Sequence, residues 1–80
     1  MHYVYILKSL KDQKLYIGLT NNIDRRLQQH NNGDVFATKG RRPLVLVRVE
    51  KFDSRSLAAK REKFLKSGVG RQEVKDLLRQ

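Results

Sequence analysis

The chain has 80 residues, with 18 lysines and arginines against 8 carboxylates, a formal net charge of +10 and no cysteine. A chain this short holds one modest core, and 32% charged residues with a mean hydropathy of −0.67 exclude a membrane-spanning segment. Disulfide scaffolds and thiolate metal sites are excluded as well. One domain over residues 1–80 is therefore expected, with the cytoplasm as its address, since strand-like residues begin almost at Met1 with no apolar leader before them.

His2 to Leu7 is rich in β-branched and aromatic residues, and Leu15 to Leu19 repeats that pattern after a polar stretch, which predicts a β-hairpin. Alternation puts Tyr3, Tyr5 and Leu7 on one face. A turn centred on Lys11 and Asp12 sets Tyr5 opposite Gly18 and diagonal to Tyr16. A glycine inside a strand loses packing and backbone entropy, so something needs the room over Tyr5. Asn21-Asn22 offers a helix cap and Gly33 a stop, predicting a helix over 22–32 with Ile23, Leu27 and His30 on one stripe. Arg26 lies beside that stripe and Arg25 points away from it. Asp34 to Arg42 reads as a basic loop. Pro43 opens a third strand through Val49, whose apolar residues on both faces predict a covered strand. Asp53 or Ser54 caps a second helix through Lys66, with Leu57, Phe64 and Leu65 inward and Glu62 at the border of the buried arc; Lys60 and Lys63 lie outward. Arg71 to Leu78 makes a last short helix. The order β-β-α-β-α-α predicts an α/β fold with a small three-stranded antiparallel sheet flanked by helices.

Charge of this size repels itself unless a polyanion neutralises it, so nucleic acid is the first partner to consider. From Lys39 to Lys66 ten basic residues face only Glu50, Asp53 and Glu62, which makes a patch. Arg25, Lys39, Arg41, Arg42 and Lys63 are the expected phosphate contacts. No helix pairs a basic face with bulky apolar residues, so no membrane role is expected. Two tyrosines on adjacent strands, an arginine and a histidine one helical turn apart, and one border glutamate suit a phosphodiester and a divalent cation. Magnesium needs only one or two carboxylates, its waters and the substrate phosphate completing the octahedron, so Glu62 suffices. As ordinary structural residues, Tyr5 and Tyr16 would be core-edge tyrosines, His30 a satisfied buried histidine and Glu62 an ion-pair partner of Lys66.

Tyr3-Val4-Tyr5, Tyr16-Ile17-Gly18, Asn22-Ile23-Asp24-Arg25-Arg26 and His30 resemble the GIY-YIG nuclease family over essentially the whole chain. Tyr5 stands for the tyrosine ending the first motif, with Tyr3 in place of its glycine, and the second motif is intact. Thr38-Lys39-Gly40-Arg41-Arg42-Pro43 further resembles small stand-alone bacterial members. The resemblance implies a catalytic arginine at Arg26, a metal-binding glutamate at Glu62 and a His or Tyr position at His30. It also implies a one-metal hydrolysis leaving a 3′-hydroxyl and a 5′-phosphate. No asparagine follows Asn32, where many active members carry one; Arg71 and Gln72 are the polar side chains available there. The expected function is a Mg²⁺- or Mn²⁺-dependent endonuclease, with Tyr5, Tyr16, Arg26, His30 and Glu62 catalytic. DNA stands ahead of RNA as substrate, with structured or repair-related DNA and a recruiting protein in view. A nucleic-acid-binding module of the same fold without turnover is the alternative.

Overall fold

The computed structural model describes residues 1–79. β1 (His2–Ser9) and β2 (Leu15–Thr20) form the expected hairpin, with Tyr5 opposite Gly18 and Leu7 opposite Tyr16. Local hydrogen bonds build the turn. Ser9 Oγ accepts from the backbone N–H groups of Lys11 and Asp12, Asp12 accepts from Lys14 N–H, and Gln13 adopts φ 63° to close the loop. β3 (Leu44–Phe52) pairs antiparallel with β1, giving the order β2-β1-β3. Ile6 faces Arg48 while Leu7 faces Leu46, so Val47 is an extra residue on β3, a bulge.

The two faces of β1 feed two cores. Tyr5, Leu7 and Leu44 pack with Tyr16 and with Ile23 and Leu27 of α1 (Ile23–Asn32). Val4 and Ile6 pack on the other side with Ala58 and Leu65 of α2 (Arg55–Lys66) and Val74 of α3 (Gly68–Leu78). A fully buried Val, Leu or Ile side chain contributes about 1.5–3 kcal/mol, and Val4, Ile6 and Leu7 all come from β1, so β1 is the strand the fold depends on. The Asn22 side chain caps α1, and Gly33 at φ 86° ends it by returning its N–H to the last carbonyls, a conformation that glycine adopts without steric penalty. The Asn31 amide then bonds the Leu44 backbone in both directions, at 2.9 and 2.8 Å, and so ties the end of α1 to β3.

Three expectations are corrected. β3 is an edge strand and not a covered one: Val45, Leu46, Val47 and Val49 all remain partly exposed. Its apolar run lacked alternation because the bulge at Val47 interrupts the period. Leu57 and Phe64 are exposed, whereas Leu65 is buried. Phe64 instead lies beneath the Arg61 guanidinium, 5.7 Å from ring centroid to Cζ. α3 begins at Gly68 and not Arg71, because Ser67 ends α2 and its hydroxyl at once caps the next helix through Gly70 N–H. Arg61 orients α2 by bonding Glu50 of β3 at 2.7 and 3.1 Å and Glu73 of α3 at 2.7 Å. This cation holds the Glu50 carboxyl below its ordinary value.

Candidate active site

Tyr5 sits on the central strand, and its phenol lies directly over Gly18. A Cβ at position 18 would overlap the ring, so the glycine supplies the room that the sequence pattern called for. Tyr16 stands beside it on the same face, with ring centroids 6.4 Å apart. From α1, His30 closes the triangle edge-on, 5.7 Å from the Tyr5 ring and 5.0 Å from that of Tyr16. Arg26, one turn earlier, donates Nε–H to Tyr5 Oη at 3.3 Å and Nη1–H to Gln29 Oε1 at 3.2 Å. Arg25 turns outward to Asn21 at 2.9 Å, as the helical geometry requires.

A buried hydrogen-bonded chain backs this group. Tyr5 Oη meets His30 Nε2 at 2.9 Å, and His30 Nδ1 meets Thr38 Oγ1 at 2.7 Å. His30 and Thr38 are both fully buried. Burial first, and the Arg26 charge second, lower the His30 pKa to about 4, so the ring is neutral at neutral pH. Burial likewise raises the Tyr5 phenol above its ordinary value, while the Arg26 hydrogen bond pulls the other way. Arg26 is held in its charged form most of all by that bond to Tyr5.

The His30 shift has a consequence for stability. The unfolded histidine titrates near 6.5 and the folded one near 4, so between these values only the unfolded chain takes up the proton. The stabilisation is complete above pH 6.5 and is lost as the pH falls; roughly 2 kcal/mol disappears between about pH 6.5 and 5. Urea unfolding across this range should show it, with the loss flattened in His30→Gln, which cannot titrate. A wild-type midpoint unchanged down to pH 5 would contradict the reading. Asp12 and Glu50, both held below ordinary carboxyl values, add their losses only at lower pH.

The remaining expected residues lie around this cluster. Glu62, partly buried on α2, bonds Lys66 at 3.2 Å, and its charge opposes ionisation of Tyr5 without touching it. Lys63 is exposed on the same helix and Lys39 on a short 3-10 turn, Lys39–Arg41. Arg41 is engaged by Asp12 at 3.0 Å and by the Leu15 carbonyl, and Arg42 bonds the Lys39 carbonyl at 2.8 Å. Among the described residues no group of three or more His, Asp and Glu side chains gathers, so a divalent cation here would rest on one carboxylate. Glu62 fits that role: it is partly exposed, its charge reaches Tyr5, and it pairs with a lysine that a cation can replace. Thr38 and Gln29 were not foreseen as part of this region. The Glu62–Lys66 contact is the one that the i+4 spacing predicts.

A family model described as the GIY-YIG catalytic domain matches residues 1–75. The chain belongs to the GIY-YIG family. It is 48% identical over 67 residues to a UPF0213 protein of Natronomonas pharaonis, covering 82% of this chain and 78% of the relative. A UPF0213 protein of Clostridium perfringens is 44% identical over 75 residues, covering 92% and 80%. The solution NMR structure of a UPF0213 protein from Bacillus halodurans superposes with a TM-score of 0.57 at 37% identity, over 95% of this chain and 83% of that one. The GIY-YIG domain is a nuclease domain whose members generally use divalent metal ions. Among the described residues no helix is long and apolar enough to cross a membrane.

Proposed function

We propose that this GIY-YIG protein is an endonuclease that hydrolyses nucleic-acid phosphodiesters, DNA before RNA, with one Mg²⁺ or Mn²⁺ held by Glu62. The observation that supports it best is the Arg26 guanidinium bonded to a phenol that is itself backed by His30 and Thr38. Arg26 spends its Nε–H on Tyr5 and keeps N–H groups for a phosphate oxygen, where its charge balances the charge that builds up during attack. The bond chain can run from Thr38 through neutral His30 to Tyr5. In that direction the Tyr5 oxygen accepts from both His30 and Arg26, and its own proton faces outward. Two donors on this oxygen counter the burial that holds the phenol above its ordinary value, and a bound divalent cation would add to them, so that Tyr5 could form a phenolate and take a proton from water. Tyr16, on the same face, orients that water or the phosphate. The divalent cation would supply further charge neutralisation at the phosphate. Family resemblance adds the expected products, a 3′-hydroxyl and a 5′-phosphate.

The test is nicking of supercoiled plasmid, branched DNA and structured RNA with Mg²⁺, with Mn²⁺ and with EDTA. Nicked products that require the cation and vanish with EDTA are expected. Intact substrates throughout would leave a binding module of the same fold.

A further inference from the structure

A groove of about 710 Å³ runs along the outer edge of β2, between that strand and helices α2 and α3. β2 pairs only with β1, so this edge of the sheet is open. The groove floor is aliphatic, made of Leu15, Ile17 and Val74, and its rim carries Lys14, Lys66, Arg71 and Lys75 with no carboxylate in the lining. Of these four cations, Lys66 alone has a carboxylate partner among the described residues, Glu62. Tyr16 also lines the groove, and its ring packs against His30 on the other face of β2, so the groove runs beside the candidate site. Beyond Leu15 and Lys75 it meets a second groove bordered by Lys8 and Arg48.

The chemistry of this track selects its occupant. A duplex presents phosphates outward and hides its bases, so it gains nothing from an aliphatic floor between cationic walls. An unpaired strand offers phosphates to the cationic rim and sugar and base faces to the aliphatic floor. We propose that the β2–α3 groove holds an unpaired nucleic-acid strand leaving the cleavage site, so that the substrate carries a tail, flap or branch beside the scissile bond. This rests on the nuclease reading above, which puts the scissile phosphate at Arg26.

The test reads binding alone, without divalent metal. Fluorescence anisotropy compares a blunt duplex with the same duplex bearing an unpaired tail, for wild type, the double variant Arg71→Glu with Lys75→Glu, and Lys14→Glu from the opposite wall. Wild type should bind the tailed duplex about tenfold more tightly, a preference both variants lose while blunt-duplex affinity holds. The salt slope for the tailed duplex should fall by roughly 1.4 in the double variant, two contacts at about 0.7 each. Equal losses on both DNAs, or on neither, would overturn the proposal. So would displacement of the tail by polyglutamate at matched charge, which would make the groove a site for an acidic peptide. If the double variant melts early by circular dichroism, Lys14→Glu carries the test. Tail preference can fail with nicking intact, and can stand in a protein that does not nick, so the two readings are separable.

Discussion

Arg26→Ala should lower the single-turnover nicking rate by about 10²–10³-fold, the scale for removing one charge-stabilising donor, while metal-free DNA affinity changes little. Three consequences add in this one side chain. The phosphate loses its cation, Tyr5 loses the donor that counters its burial, and His30 loses the charge that helps keep it neutral. Arg25→Ala, at the neighbouring position, should leave the rate within a few-fold, because that guanidinium bonds Asn21 on the outer side of α1. Arg26→Lys separates charge from geometry: the ammonium retains the charge but not the fork that reaches Tyr5 and Gln29 together. Its rate should fall between wild type and alanine. Equal losses in Arg25→Ala and Arg26→Ala would show that proximity to Tyr5 has no part in the reaction.

Glu62→Gln should abolish cation-dependent nicking and leave metal-free binding unchanged or tighter. The expected direction of binding follows from charge: a carboxylate that acts on Tyr5 and pairs with Lys66 repels phosphates, and its removal frees Lys66 from that ion pair. Glutamine keeps the size and a hydrogen-bonding oxygen but anchors Mg²⁺ poorly. The measurement is paired, nicking with Mg²⁺ or Mn²⁺ beside metal-free anisotropy on wild type and variant. Nicking that survives the substitution would remove Glu62 from the proposed metal site. Tighter binding by a variant of a wild type that never nicked would favour the binding module.

Much of the candidate site was legible because its members sit on regular elements. Tyr5 against Gly18 follows from a period of two and a turn at Lys11-Asp12, and the opposite roles of Arg25 and Arg26 follow from 100° per residue. Thr38 was not legible as His30's partner. It lies in a loop eight residues further on, where no period applies, and it meets His30 only because Gly33 and Asn31 turn the chain back against β3.

By itself, then, the sequence determined the hairpin register, the inward face of α1, the capped starts of α1 and α2, and the placement of Glu62 at a helix border. All of these depend on neighbours within a few residues. The tertiary structure alone decided that β3 joins β1 and not β2, which leaves β3 half-bare on one side and opens the β2 edge on the other. It also decided that Lys14, Lys66, Arg71 and Lys75 share one groove beside Tyr16. Arg71 and Lys75 share a face of α3 through their i,i+4 spacing, but nothing along the chain brings them to Lys14 and Lys66; the packing of α2 and α3 on Val4 and Ile6 does.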